Sequence, residues 1–381
     1  MNFELSNEQQ LLKDSVDRLI ADRYEFQTRG KILESDAGWS RTIWSTLADL
    51  GFLGLPFSAE DGGFGGGPVE QMIIQEAFGR GLLVEPYLAT VILGGSAIAL
   101  AASAELRADI LGGVAEGKRL LAFAHGERLS RYRLRQVETT ARRVGRDGWV
   151  LDGEKTTVIH GGAADTLVVS ARTSGGKDDE TGISLFVVPA NTAGTTVRAY
   201  PTFDGMRGAD ITFESVGLTS DALLGEADKA YPVIEHVEQH GIAAVAAESI
   251  GLMQAALDMS VEYLKTRTQF GRPIGEFQVL QHRAADMYVA VEEARSIAIH
   301  AAMMVGEADP VARRQAMATA KAQIGVSARE VGQSGVQLHG GIGITEEYAI
   351  GHYFKRLSMI ERQFGDVEHH MALLASLEKP G

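Results

Sequence analysis

The sequence predicts an α+β protein laid out as helices, then strands, then helices. Apolar residues recur at helical spacing up to about Gly117. From Val137 to Thr219 the chain breaks into short Val-, Thr- and Ile-rich runs separated by Asp-Gly and Gly-Gly turns. From about Tyr231 long helical periods return, with many Ala on broad apolar faces.

Each lobe has its own local signals. Ser6 and Gln9 form a capping-box pair ahead of Leu11, Leu12, Val16, Leu19 and Ile20, which starts an amphipathic helix. After the break "EDGGFGGG" the helical pattern restarts at Pro68, a favoured first-turn residue. The apolar stretch 88–102 is rich in Gly and Ala and shorter than the roughly 20 residues needed to cross a bilayer, so it reads as a buried helix. In the middle lobe, "WVLDG", "TLVVSART", "ISLFVVPA", "TTVRAY" and "ADITFESV" read as strands of an antiparallel module. The domain boundaries read from these changes of texture are 1–117, 118–226 and 227–381.

Composition excludes several function classes. A chain of 381 residues suits two or three lobes and can bury a large pocket. With 36 Lys and Arg against 50 Asp and Glu the formal charge is -14, which is wrong for a nucleic-acid binder, because phosphate contacts need basic surface. Having no Cys, the chain can form no disulfide, thiolate zinc site or thiol nucleophile, and this fits a reducing compartment such as the cytoplasm. "MNFELSNEQQLLKD" has neither the basic head nor the apolar run of a secretory signal, and no membrane association is expected.

The densest motif is "YLKTRTQFGRPIGEFQVLQHRAADM", residues 263–287. A helix is expected to end near Phe270, with a turn through Gly271 and Pro273 and a new helix opening at Gln278. Arg267, Arg272 and Gln278 then surround a corner that can receive a phosphate, since guanidinium groups pair bidentately with phosphate oxygens. A plain helical hairpin with its Arg residues in water fits the same spacing.

Together with "QLHGGIGITEEYAIGHYFKR" at 337–356, this motif closely resembles the acyl-CoA dehydrogenase family, whose signatures are a YxxxRxxFGxPxxxxQ run and a QxxGGxGxxxE run. The resemblance extends over essentially the whole chain. It includes bacterial subunits of heterotetrameric members that act on bulky or dicarboxylic acyl-CoAs, pimeloyl-CoA among them. It implies an N-terminal helical domain, a middle antiparallel β-barrel-like domain and a C-terminal four-helix bundle at the core of a tetramer. It also implies FAD at a subunit interface. Arg267 and Phe270 match positions that meet the FAD of the neighbouring subunit, Gln278 one near its adenosine portion, and Gln337, Gly340 and Gly341 ones lining its diphosphate. Glycines there let backbone approach an anion closely.

The β module departs from the family pattern. Where relatives show Thr-Glu-Pro, "FAHGERLSRYRL" keeps Phe123 and Glu127 but places His125 and Gly126 in the flavin-facing turn and Arg128 at the Pro position, so the Thr hydroxyl is missing. Where relatives show Trp-Ile-Thr-Asn after Gly-Glu-Lys, this chain has Thr157, Val158, Ile159 and His160. The resemblance still implies that backbone groups of Val158 and Ile159 meet the isoalloxazine, with the usual Trp gone.

The family's reaction is α,β-dehydrogenation of an acyl-CoA to the trans-2-enoyl-CoA, with electrons passed to an electron-transfer flavoprotein. A carboxylate must remove the α-proton. The usual position before Gly-Thr falls on Phe364 in "QFGDVEHH", and the family's second solution, counted back from Gly251, falls on Gly241. The carboxylate left on that helix is Glu248 in "IAAVAAESIGLM", seven residues and roughly 10 Å past Gly241 on the same face. It is the candidate base, or else a buried Glu paired with an Arg or a hydroxyl. Asp366 is the second candidate, better suited to a backbone cap or a ribose contact. Glu368, His369 and His370 are consecutive and diverge by about 100° per residue on a helix, so no metal site is expected. Three functional readings follow: a dehydrogenase acting as a homotetramer, a base-less subunit completing the FAD site of a homologue in an α2β2 assembly, or an oxidase or monooxygenase on the same fold.

Overall fold

The computed structural model describes residues 5–145 and 148–377. Six α-helices come first: α1 (Asn7–Arg23), α2 (Phe26–Leu33), α3 (Arg41–Asp49), α4 (Pro68–Gly81), α5 (Gly95–Ala101) and α6 (Ala104–Ala115). The strands β1 (Leu121–Ala124), β2 (Thr140–Val144), β3 (Gly148–Ile159), β4 (Thr166–Arg172), β5 (Ile183–Pro189), β6 (Thr195–Pro201), β7 (Arg207–Thr219) and β8 (Leu223–Leu224) follow. Then come α7 (Tyr231–Thr266), the short strands β9 (Thr268–Gln269) and β10 (Arg272–Pro273), α8 (Gln278–Met304), α9 (Pro310–His339), α10 (Ala349–Arg362) and α11 (Val367–Leu377).

Contacts divide the chain into two compact units that cut across the sequence lobes: residues 1–31, 67–83 and 242–381 in one, and 32–66 and 84–241 in the other. They are called here the bundle unit and the sheet unit. The helical N-terminal stretch is thus divided, with α1 and α4 in the bundle unit and α3, α5 and α6 in the sheet unit.

In the sheet unit the strand order is β6-β7-β3-β2-β4-β5-β8, with β1 added on β4. Pairing is antiparallel apart from β1 with β4 and one residue pair of β2 with β4. The parallel strand reflects its route: the long connection from β1 to β4 brings the chain back in the same direction, as parallel neighbours require. The core beneath the sheet is built by alternating residues such as Trp149, Leu151, Leu167, Val169, Phe186, Ile211 and Phe213. The stretch 88–102 is helical and largely buried, beginning as a π-helix over Leu88–Gly94 that continues into α5. Thr90 Oγ1 donates to the Leu121 carbonyl at 3.1 Å and accepts from its N–H at 3.2 Å, tying this helix to the start of β1.

In the bundle unit, Ser6 and Gln9 make the capping box of α1. The crossing of α4 with α7 depends on two glycines. A Cβ on Gly79 would lie 2.0 Å from the Glu248 carbonyl, and one on Gly251 would lie 1.8 Å from the Glu76 carbonyl. Backbone therefore meets backbone at the level of Glu248. The helix before the Arg corner ends at Thr266, four residues earlier than the sequence suggests, because the next residues pair as a hairpin of β9 with β10.

Candidate active site

In the sheet unit the sequence-predicted residues gather at the end of β3 and the turn after β1. The β3–β7 ladder slips between Lys155 and Val158, a bulge that puts Thr157 at φ +55°. Because β2 pairs with β3 only as far as Asp152, the last residues of β3 have β7 on one edge and the β1 turn on the other. Thr156 N–H donates to the Gly126 carbonyl at 2.8 Å, and a Cβ on Gly126 would come within 3.3 Å of the Thr156 carbonyl. Phe123, His125, Gly126, Val158 and Ile159 are thereby brought to one edge, with Gly126 exposed and Val158 buried.

Behind that edge lies a buried polar group that the sequence reading passed over. Lys155, fully buried, donates to Glu127 Oε1 at 2.7 Å, to Ser170 Oγ at 3.0 Å and to the His125 carbonyl at 3.1 Å. All three ammonium hydrogens are engaged. Glu127 also accepts the N–H groups of Glu138 at 2.7 Å and Thr139 at 3.0 Å. Burial acts to raise the Glu127 pKa, but the Lys155 charge and these hydrogen bonds outweigh it and hold the carboxyl below its ordinary value. Burial pulls Lys155 down to about 8 in spite of the Glu127 carboxylate. Ser170 Oγ, which accepts from Lys155, also shares a 2.8 Å hydrogen bond with His125 Nδ1. The imidazole is neutral, pushed down to about 3 by burial and by Lys155. The available signal was strand alternation, since Trp149, Leu151 and Lys155 are all buried, two or four residues apart, on β3.

In the bundle unit, Phe270 and Gly271 are the two central residues of the β9–β10 hairpin, with φ of +54° and +82°. That is the type I′ pattern, which favours Asn or Gly at both positions. A Phe held there, 91% exposed, is a strained residue presenting an aromatic ring to solvent. Arg267 and Gln278 flank it, both exposed, while Arg272 lies over the Phe277 ring at 4.3 Å. The glycine run sits at the same end of the bundle: His339, the last residue of α9, packs its ring 4.5 Å from Tyr263, near the end of α7. Gln337 stands two residues before it on α9 and Gly340 and Gly341 follow, both exposed, and a Cβ on either glycine would meet nothing within 4 Å. Replacing Phe270 by Asn should relieve the backbone strain and raise the thermal stability of the isolated chain by about 1 kcal/mol, while weakening ligand retention at this corner. A melting curve run with and without ligand separates the two effects.

Glu248 is buried, and both of its carboxylate oxygens are taken. Arg356, in the middle of α10, donates Nε to Oε1 at 2.6 Å and Nη2 to Oε2 at 2.7 Å. This bidentate pair is the Arg-paired alternative that the sequence left open. The partner could have been found as a charge on an apolar face, because Ile350, Tyr353, Leu357 and Ile360 of α10 share that face with Arg356.

The segment that opens α11 holds its shape by other means. Phe364 and Gly365 adopt φ of +57° and +103°. Lys321, fully buried on α9, donates to the Gly365 carbonyl at 2.6 Å and to the Glu361 carbonyl at 3.0 Å. His370 Nε2 donates to the Phe364 carbonyl at 2.7 Å. Asp366 Oδ1 accepts the His369 N–H at 2.9 Å, so this residue caps α11. Phe364 packs on the cluster of Ile242, Ala301, Val305, Ala316, Met317 and Ala320. Its position is therefore an apolar one. His369 and His370 lie edge to face, and no group of three metal-ligating side chains occurs among the described residues.

Burial, with Lys321 adding to it, pushes His370 down to about 4, so it is neutral in the fold. In the unfolded chain it titrates near the ordinary value of about 6.5. Between these values the unfolded state takes up a proton that the folded state refuses, so stability is full above the upper value and falls as pH drops. The expected slope is about 1.4 kcal/mol per pH unit for His370 and about twice that with His125. Urea midpoints at pH 7 and pH 5 check this, and His370→Gln should cut the difference by about half.

The chain belongs to the acyl-CoA dehydrogenase family: it matches the descriptions "Acyl-CoA dehydrogenase, N-terminal domain" over residues 6–118, "middle domain" over 122–216 and "C-terminal domain" over 232–376. This is a family of FAD-dependent oxidoreductases, and the chain is an enzyme of that type. Among its relatives is the probable acyl-CoA dehydrogenase YngJ of Bacillus subtilis, 30% identical over 98% of this chain and 99% of that protein. Similar solved structures include the butyryl-CoA dehydrogenase of Megasphaera elsdenii, with a TM-score of 0.90, 25% identity and coverage of 99% of both chains. A second is a variant of the Tcur3481-Tcur3483 steroid ACAD, with a TM-score of 0.87, 29% identity and coverage of 97% of both chains. The residues present fit the family's cofactor in each unit: an exposed aromatic on a strained turn, glycines facing open space, and a strand edge met by a glycine turn.

Proposed function

We propose that this protein works in the FAD-dependent α,β-dehydrogenation of an acyl-CoA thioester, giving the trans-2-enoyl-CoA, with electrons leaving to an electron-transfer flavoprotein. The observation that carries the reading is the Phe270–Gly271 turn, where a bulky exposed ring is held at positive φ beside Arg267 and Gln278. Such strain persists where a ligand uses it. FAD, when bound, supplies the hydride acceptor. In this reading Phe123, His125, Gly126, Val158 and Ile159 meet the chain's own FAD, while Arg267, Phe270, Gln278, Gln337, Gly340 and Gly341 serve the FAD of a neighbouring subunit. Glu248 is the base that this chain can offer, with Asp366 behind it.

The Glu248–Arg356 pair favours a second reading, in which the chain completes an FAD site and a second acyl-CoA dehydrogenase-like subunit brings the base. Both carboxylate oxygens are already engaged by the guanidinium, so proton abstraction would first require the pair to open. Asp366, already capping α11, and Phe364, an apolar side chain, add no free carboxylate. A surface for another chain is available in a groove of about 550 Å³ between α8, α9 and α11, where Val326 and Met371 are exposed. The family's tetrameric arrangement would seat a homologue or a second copy there.

Anaerobic mixing with acyl-CoAs tests both readings. Flavin bleaching by the purified chain alone, abolished in Glu248→Gln, supports the first. Bleaching that appears only with a co-purifying homologue, and survives Glu248→Gln in this chain, supports the second. Absence of bound FAD under every condition would refute both.

A further inference from the structure

Lys155 belongs to no part of the reaction described above, yet it is fully buried with all three of its ammonium hydrogens engaged. Its three hydrogens tie together separate pieces of chain. Glu127 and the His125 carbonyl lie on the turn after β1, Ser170 lies on β4, and Lys155 itself precedes the bulge of β3. Glu127 extends the connection to the segment before β2 through Glu138 and Thr139. Next to this centre, the Thr156 N–H meets the Gly126 carbonyl.

We propose that Lys155 is the positioning residue of the cofactor-facing edge, fixing the β1 turn against the β3 bulge so that backbone groups of Gly126, Val158 and Ile159 do the work of the absent Thr hydroxyl. The inference rests on the reading that this edge meets FAD. The physical argument is one of order. A glycine turn supplies no side chain to anchor itself, and Gly is conformationally permissive, so without an internal tie the turn would sample many conformations and binding would have to select one. A buried ammonium with three fixed acceptors removes that freedom. Ser170, held by the same ammonium, also meets His125 Nδ1, which keeps the ring at the root of the turn in one orientation, stacked beside Phe123 with ring centroids 5.8 Å apart.

Removing Lys155 alone would leave Glu127 buried and unpaired and could unfold the edge outright. The informative variant is therefore the double replacement Lys155→Met with Glu127→Gln, compared with Lys155→Arg and wild type. The readouts are FAD affinity by fluorescence quenching on the apoprotein, the visible circular dichroism of the bound flavin, and the melting temperature of the apoprotein. The expected result is that the double variant melts within a few degrees of wild type but binds FAD at least tenfold more weakly, with a changed flavin spectrum. Lys155→Arg should regain part of the affinity. A double variant that folds and binds FAD with wild-type affinity and spectrum overturns the proposal. A wild-type chain that binds no FAD overturns instead the reading on which it rests.

Discussion

Arg356→Met is expected to lower the unfolding free energy by about 3–5 kcal/mol, because it strands the Glu248 carboxylate in the interior without a counter-charge. Arg356 and Glu248 are both buried, and their two short hydrogen bonds engage both carboxylate oxygens. The backbone of α4 also passes so close to that of α7 at the Glu248 carbonyl that Gly79 has no room for a Cβ. Replacing both partners by Leu should restore most of the loss, because a well-packed apolar pair of similar volume avoids the desolvation of two charges. Urea denaturation of the two single variants and the double variant measures this coupling directly. The same double variant bears on function. If Glu248 serves only as the counter-ion of Arg356, the folded double variant keeps whatever bleaching activity the wild-type assembly shows. Loss of that activity with the fold intact would instead identify Glu248 as the base.

Phe364→Glu is expected to give the isolated chain a base of its own, raising the rate of flavin bleaching by an acyl-CoA about 10²- to 10⁴-fold, the usual contribution of a positioned general base. The position resembles that of the family's catalytic Glu, and its surroundings suit the task. A carboxyl set against Ile242, Val305 and Met317 loses hydration, and its pKa rises toward the range where a base works near neutral pH. The backbone is already shaped, since Lys321 and His370 hold the Gly365 and Phe364 carbonyls whatever side chain stands at 364. Some stability should be lost because a polar group replaces an apolar one. Phe364→Gln is the control, with a similar volume and a polar group but no proton acceptor. Equal bleaching rates in the Glu and Gln variants would count against a missing base, as would a fast rate in the wild-type chain alone.

Much of the fold was legible because local chemistry specifies it. The Ser6 and Gln9 cap, Pro68 at the start of α4, Tyr231 at the start of α7 and Gln278 at the start of α8 all stand where the sequence signals put them. The hairpin at 268–273 was harder. Its turn carries Phe rather than Asn or Gly at the first central position, so the usual turn signal was half missing and the preceding helix was read four residues too long. The segment "QFGD" was legible as a helix cap through Asp366, but nothing local marks Lys321, 44 residues away from the Gly365 carbonyl that it holds.

The sequence by itself determined the order of helices and strands and, through the motifs at 263–287 and 337–356, the resemblance to the acyl-CoA dehydrogenase family. Those follow from periodicity, turn chemistry and residue identity, which are properties of neighbours along the chain. The tertiary structure decided what the buried charges do. Glu248 meets Arg356 across 108 residues, and Lys155 meets Glu127 across 28. A charge on an apolar face announces that it needs a partner, but which partner it finds is set by the packing of helices and strands. The carboxylate that the sequence offers first as a base proves to be half of a buried ion pair.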